Sequence, residues 1–461
     1  MISLWMEQVA PQPARPALQQ NTDTDVVIVG AGFTGLWTAY YLKQAQPQLR
    51  ITILEARQVG YGASGRNGGW LLGEIAGGDK LLQALPGAER QSGHRLLQGI
   101  PDEVARVTER EGIHCDFKKG GVLYCAARYP EQQQRLQAHL SECRDYGYST
   151  SDLQWLDQSG LQQRLQMANS YGALFTPHCA TVQPAKLALG LAAVLEQSGV
   201  EIFESSPVVR WQSGEVATPS ATIKARWVVP AVEAYGSQLK PMQHYQLAVQ
   251  SMIVATEPLP ESVWQSIGLA NGEAFCEASR LISYGQRSAD NRMIFGARGG
   301  YRFGGGLRAD APLSAGEMEL RRHLMQQCFP QLEGVRITHN WGGNLALSRR
   351  FHPHMLCDYG PRIAVAGGYA GEGVGASNLA GRTLAHLITE QESELVRQPW
   401  VLRDKPLSAL KRWEPEPLRW LTYKTVNQLY ALEDRVLSAP TPAWQRRLVS
   451  GLADVLEGVI S

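Results

Sequence analysis

Apolar and polar positions along the chain follow two periods. Asp25-Val-Val-Ile-Val-Gly30 is a short β-branched run ended by glycine, which predicts a strand buried on both faces. From Thr34 to Gln46 the apolar positions Leu36, Ala39, Tyr40 and Leu42 take helical spacing and stop before Pro47. Arg50 to Leu54 predicts a second strand, followed at once by Glu55. Strand, glycine turn, helix and strand make a βαβ unit of about 30 residues. The preceding stretch, Met1 to Thr24, is polar and contains Pro11, Pro13 and Pro16, so an irregular N-terminal arm is expected over 1–24.

Further along, the pattern changes character twice. Residues 86–175 are more charged and helical and lack βαβ punctuation, which predicts an inserted unit. Pro184 opens a helix over Ala185 to Ser198. Strands are expected at Glu201 to Phe203, Pro207 to Trp211 and Trp227 to Ala231, the last returning to the first unit. Leu247 to Thr256 and Arg292 to Gly296 look like strands of an antiparallel sheet. Ser314, with Glu317 three residues on, caps a helix to Cys328. A last strand at Arg362 to Ala366 leads through a glycine turn into a helix ending near Thr389.

The expected fold is therefore mixed α/β: a Rossmann-like dinucleotide-binding domain, an inserted antiparallel-sheet substrate domain and a C-terminal helical tail. The first domain takes 25–85, 176–235 and 336–390. The second takes 86–175 and 236–335. The tail, 391–461, has amphipathic stretches at Leu407 to Trp413 and Trp444 to Leu456, and Trp413 to Trp420 reads as a rigid extended segment.

Composition narrows the partners. Forty-four Lys and Arg balance 43 Asp and Glu, which gives no global pull toward nucleic acid or anionic lipid. Seven widely spaced cysteines, with no CxxC, fit neither a disulfide framework nor a zinc site. His352-Pro-His354 lacks a third ligand, so no metal is expected. No secretory h-region and no run of 18 apolar residues is present, and a cytoplasmic protein is the expectation.

Glycine is concentrated: 21 of the 46 fall within residues 30–35, 60–73, 296–306 and 367–381. In Gly30-x-Gly32-x-x-Gly35, glycine permits the tight turn, the approach of backbone to a pyrophosphate and close helix packing. Glu55, twenty residues beyond Gly35, would accept from a ribose diol. The second loop, Gly60 to Trp70, could wrap another phosphate and bring backbone up to a flat ring, which favours FAD over NAD. The third, Gly367 to Gly375, offers a helix N-terminus that would stabilise a reduced, anionic flavin. The fourth, Gly296 to Gly306, has no assigned partner and could be a mobile loop on the substrate side.

Val26-Val-Ile-Val-Gly-Ala-Gly-Phe-Thr-Gly35, Gly62-Ala-Ser-Gly-Arg-Asn-Gly-Gly69, Val182-Gln-Pro-Ala-Lys-Leu187 and Gly367-Gly-Tyr-Ala-Gly-Glu-Gly373 stand in the order found in the glycine/D-amino-acid oxidase (DAO) superfamily. The chain resembles its γ-glutamylputrescine oxidoreductase-like and sarcosine-oxidase-like members over about residues 20–390. The resemblance implies FAD between the two domains, and oxidation of a C–N bond by hydride transfer to flavin N5, followed by imine hydrolysis. It implies cofactor contacts at Gly30, Gly32, Phe33, Thr34, Gly35, Glu55, Ala56 and Arg57. It implies others at Ala63, Ser64, Gly65, Arg66, Asn67, Gly68 and Gly69, at Val208 or Val209, and at Gly368, Gly371, Glu372, Gly373 and Val374.

Two departures stand out. Glu372 occupies a position where relatives often carry histidine, so it points away from the ring, pairs with a cation or reads a cationic amine. Trp341 to Leu347 lacks the cysteine through which sarcosine oxidases attach flavin, so FAD is expected to be noncovalent and Cys357 a structural thiol. The oxygen-activating lysine of sarcosine oxidases is also missing near Ile282, Ser283 and Tyr284, which leaves oxygen or another electron acceptor open. The substrate-side candidates are Arg66, Trp70, Tyr284, Arg298, Tyr369 and Glu372, and no catalytic residue is assigned. The partner is a small-molecule amine. The alternatives are a flavin dehydrogenase of 2-hydroxy acids, or a flavoprotein accessory or maturation factor that docks a protein partner through its tail.

Overall fold

The computed structural model describes residues 3–308 and 310–460, with the side chains of Arg298, Val459 and Ile460 outside the described set. Strand Thr22–Val29 lies at the centre of a nine-stranded sheet, parallel to Ile51–Leu54 on one side and to Thr222–Pro230 on the other. Glu201–Phe203 extends one edge in parallel, and Ile363–Gly367 continues the other. Val26 to Val29 are all buried, Val26 and Ile28 in one hydrophobic cluster and Val27 and Val29 in another, as an unbroken apolar run covered on both faces requires. Helices Phe33–Ala45 and Gly373–Ile388 pack against one another. Their approach depends on Gly381, where a Cβ would lie 2.6 Å from Cβ of Trp37.

The second sheet has eight strands in the order Ile337–Ser348, Gln246–Thr256, Met293–Tyr301, Ser283–Arg287, Ala274–Glu277, Val122–Ala126, Gly172–Thr176 and Gln154–Asp157. Every neighbouring pair is antiparallel except Ala274–Glu277 with Val122–Ala126. Helix Ala315–Cys328 starts on the expected capping box of Ser314 and Glu317.

Several boundaries differ from the sequence reading. Ile337–Ser348, expected with the dinucleotide-binding unit, pairs along its length with Gln246–Thr256 in the second sheet. Helices Gly87–Gln98 and Ile100–Arg110, expected with the insert, bury Leu97, Ile100, Val104 and Val107 in the first core. Helical periodicity shows which face is apolar but not which layer receives it. The N-terminal arm contains a short helix, Leu4–Glu7, capped by Ser3, with Leu4 and Trp5 buried. Of Pro207 to Trp211 only the end is strand, in Arg210–Gln212. Gly296 to Tyr301 is strand and 303–305 a 3-10 turn, in place of a loop.

The tail forms a helical hairpin, Leu418–Leu437 and Ala443–Ile460. The first of these helices was missed in the sequence, where Trp413 to Trp420 read as extended throughout. Among the described residues no helix is long and apolar enough to cross a membrane.

Candidate functional site

One cavity of about 1350 Å³ touches both sheets and the tail hairpin. That exceeds the roughly 300–1,000 Å³ of an ordinary small-molecule pocket. At its first end Gly30 sits at φ +106° and donates its N–H to Leu54 O at 2.7 Å. A Cβ on Gly35 would lie 2.1 Å from Gly30 O, so the helix rests directly on the turn. Gly32 caps that helix without a side chain, and Ser64 Oγ of the second glycine loop accepts the Phe33 N–H at 2.8 Å. Glu55 accepts the N–H groups of Ala31 and Arg57, both at 2.9 Å, while burial pushes its carboxyl pKa up. Gly30, Gly32, Phe33, Thr34, Glu55, Ala56 and Arg57 line the cavity, and Gly35 does not. Of the two valines, Val208 lines it and Val209, 60% exposed, lies outside.

The second loop is held by its carbonyls. Ser3 Oγ donates to Gly65 O at 2.6 Å, Trp341 Nε1 to Arg66 O at 2.9 Å and Trp5 Nε1 to Asn67 O at 2.7 Å. Gln286 Nε2 donates to Gly68 O at 2.5 Å, and the Val182 N–H to Gly69 O at 2.9 Å. Five consecutive carbonyls are thus paired with donors from four distant parts of the chain. Asn67 closes the turn itself: its Oδ1 accepts the Gly69 N–H at 2.8 Å and its Nδ2 donates to Ala63 O and Ser64 O.

Ala63, Ser64, Arg66, Asn67 and Gly68 line the cavity, whereas Gly65 and Gly69 lie outside it. Those two glycines serve the loop's own packing. A Cβ on Gly65 would lie 2.5 Å from Gly60 O, and one on Gly69 2.2 Å from Gln286 Nε2. The Arg66 guanidinium donates to Tyr61 O at 2.7 Å, pairs with Asp310 at 2.6 Å and lies over the Tyr61 ring. It is therefore engaged within the chain.

In the third loop Tyr369, Gly371, Glu372, Gly373 and Val374 line the cavity, and Gly368, at φ +76°, packs against Ser348 outside it. Tyr369 Oη and Thr34 Oγ1 share a hydrogen bond of 2.9 Å that ties this loop to the first helix. Glu233, which the sequence reading missed, accepts the N–H groups of Tyr369 at 3.2 Å and Gly368 at 3.4 Å. Burial pushes its pKa up to about 7. Nothing local marks it, because its partners are more than a hundred residues away.

The far end is aromatic. Trp70 and Tyr284 meet edge to face at 5.4 Å, and Tyr284 Oη bonds Ser251 Oγ at 2.8 Å. The Tyr284 ring is seated between two glycines: a Cβ on Gly68 or on Gly296 would lie 2.6 or 2.4 Å from it. Tyr124 donates to Glu74 at 2.5 Å, and burial pushes Glu74 up to about 7. Both residues line the cavity, and both were missed in the sequence. The buried Trp70 Nε1 has no partner within the chain. The Arg298 side chain lies outside the described residues.

Four further arginines of the lining are paired: Arg280 with Glu433, Arg308 with Glu317, Arg349 with Glu414 and Arg419 with Glu416. No lysine and no cysteine occurs among the described lining residues. Cys357 is buried in the first core. Elsewhere, Asp79, His139 and Cys143 come within 4.8 Å of one another, a cluster the sequence did not suggest.

The model of the DAO family, described as FAD dependent oxidoreductase, matches residues 25–387. The chain is 32% identical to the probable oxidoreductase OrdL of Haemophilus influenzae, over 82% of this chain and 86% of that protein. It is 30% identical to the gamma-glutamylputrescine oxidoreductase of Escherichia coli, over 80% and 85%. Among solved structures, glycine oxidase from Geobacillus kaustophilus superposes with a TM-score of 0.68 at 22% identity, covering 83% of this chain and 99% of that one.

Proposed function

Because the chain belongs to the FAD-dependent oxidoreductase (DAO) family, we propose that it oxidises the C–N bond of an amine or amino acid. The observation that carries this reading is the continuity of one cavity from the Gly30 and Glu55 turn to the chamber of Trp70, Tyr124, Tyr284 and Glu74. A dinucleotide and a substrate need adjoining compartments of these two kinds. The donor set fits FAD. The turn at Gly30 to Phe33 opens a helix N-terminus for a pyrophosphate. Glu55 keeps acceptor capacity for a ribose, and Ser64, Asn67 and Gly68 border the ring end. The buried, unpaired Trp70 N–H is a donor awaiting an acceptor. The described lining offers no cysteine for a thioether link, which supports noncovalent contacts.

FAD held there would supply a two-electron acceptor for hydride from the carbon that bears nitrogen. The chain supplies alignment and dryness. Trp70 and Tyr284 wall the substrate carbon. An amine must be neutral to give up hydride, and Glu74, with a pKa near 7, takes the ammonium proton. Water then hydrolyses the imine to a carbonyl compound and ammonia or a smaller amine. The absence of lysine from the described lining favours an electron acceptor other than oxygen.

The test is anaerobic bleaching of the holoenzyme's flavin by a panel of amines, amino acids and 2-hydroxy acids, followed by admission of air. Bleaching by amines, with release of ammonia or amine, supports the reading. Bleaching by hydroxy acids alone refutes it. Slow reoxidation in air supports the other acceptor.

A further inference from the structure

The family match ends at residue 387, yet the same cavity is also lined by a stripe of the helix Leu418–Leu437. Thr422, Tyr423, Val426, Asn427 and Tyr430 recur at spacings of three and four, one face of the helix. A helix on a globular body ordinarily lays its apolar stripe on a core. Here only Tyr430, Glu433 and Leu437 of twenty residues are buried, and this stripe faces a cavity instead.

The hairpin is fastened at its ends. Ahead of the helix, Trp413 Nε1 donates to Leu347 O at 2.9 Å, and Glu416 accepts from Tyr301 Oη and from the Gly304 N–H. At the far end Arg128 holds Asp434 bidentately at 2.8 and 2.7 Å. Arg280 pairs with Glu433 at 2.8 Å and with Asp454 and Glu457 of the second helix. An arginine engaged by three carboxylates of its own chain is not available to a substrate carboxylate.

We propose that this hairpin is the roof of the substrate chamber and selects amines whose second end carries hydrogen-bond donors, a second ammonium or an amide N–H, over amines with a carboxylate end. This rests on the reading of the cavity given under Proposed function. Tyr423, Asn427 and Tyr430 supply the selecting groups. One Nδ2 hydrogen of Asn427 goes to Tyr423 O at 2.9 Å, which orients the amide and leaves its carbonyl oxygen as acceptor. The cation that this helix brings to the described lining, Arg419, pairs with Glu416 at 3.1 Å. Of the three acids around Arg280, Glu433 is also held by Arg135 at 3.3 Å, and Glu457 lines the cavity.

The full-length holoenzyme tests this with three substrates of equal length: a diamine, a simple monoamine and an amino acid. Wild type is expected to prefer the diamine in kcat/KM, and Asn427→Leu to cut the diamine-to-monoamine ratio about tenfold. Asp434→Ala, which opens the fastening at Arg128, is expected to raise acrylamide quenching of flavin fluorescence, and the charge swap R128D/D434R to restore the wild-type value. Quenching unchanged in Asp434→Ala, or a ratio unchanged in Asn427→Leu, overturns the proposal, as does preference for the amino acid. If no amine bleaches the wild-type flavin, the parent reading fails instead, and the quenching measurement still decides whether the hairpin is a roof.

Discussion

Replacing Trp5 by phenylalanine tests whether the N-terminal helix acts on the cofactor loop. Trp5 is 2% exposed, donates to Asn67 O at 2.7 Å and lies edge to face with Trp341 at 6.2 Å. Phenylalanine keeps most of the packing and removes the donor. A buried carbonyl left without its partner costs about 1–3 kcal/mol. If the loop shape is what FAD requires, that cost appears in binding, and at about 1.4 kcal/mol per decade the dissociation constant rises roughly 5- to 150-fold. Titration of deflavinated protein with FAD, followed by flavin fluorescence, reads this directly. Trp341→Phe, which frees Arg66 O, should act in the same direction. The double variant should fall short of additivity, because the rings touch. A lowered melting temperature with unchanged FAD affinity in both variants would refute the argument and leave the helix a packing element only.

The remaining predictions are narrower. Glu233 has a raised native pKa of about 7, so the native state holds its proton where the unfolded chain has lost it, and its contribution to stability falls as pH rises from about 4.5 to 7. Glu233→Gln should therefore flatten urea stability between pH 5 and 8 relative to wild type, by on the order of 3 kcal/mol; a slope like that of wild type counts against it. Glu74→Gln should slow anaerobic flavin reduction between about pH 7 and the amine's own pKa, where wild-type Glu74 is ionised and can take the ammonium proton, and change it little at more acid pH, where Glu74 is already protonated. Tyr369→Phe removes the bond to Thr34 and should cost about 0.5–1.5 kcal/mol in thermal unfolding. Gly296→Ala places a methyl against the Tyr284 ring and should raise KM for an amine more than it lowers the melting temperature.

The parts legible in the sequence were those whose signal is local. The turn at Gly30 to Gly35 lies between a β-branched run and a helix with apolar positions at helical spacing, and Glu55 follows the next strand, so all three could be placed within 26 residues. The capping box at Ser314 was equally local. What escaped was assembled across the chain. Glu74, Tyr124 and Glu233 carry no pattern of their own and gain meaning only from neighbours the fold brings. The helix Leu418–Leu437 was hidden because its apolar positions do not form one core-facing stripe. Arg66 stood among the substrate-side candidates because one dimension does not reveal Asp310 beside it.

The fourth glycine cluster shows that a shortage of side chains serves two ends in this molecule. At Gly30 it permits a turn at φ +106° beside the cavity, where a Cβ would lie 2.7 Å from Ala231 O. At Gly296 it clears space for a ring of the chain itself, since Tyr284 occupies the volume a Cβ would need, with Gly68 clearing it from the other side. Gly299 then offers its carbonyl to Tyr423 of the roof helix at 3.3 Å, and Gly304 its N–H to Glu416 at 3.0 Å. A cluster without an assigned partner in the sequence is the seat on which the substrate wall and the tail hairpin rest. The tail and the family fold therefore meet at backbone atoms, and substitutions in 296–306 should be felt first in substrate selection rather than in flavin binding.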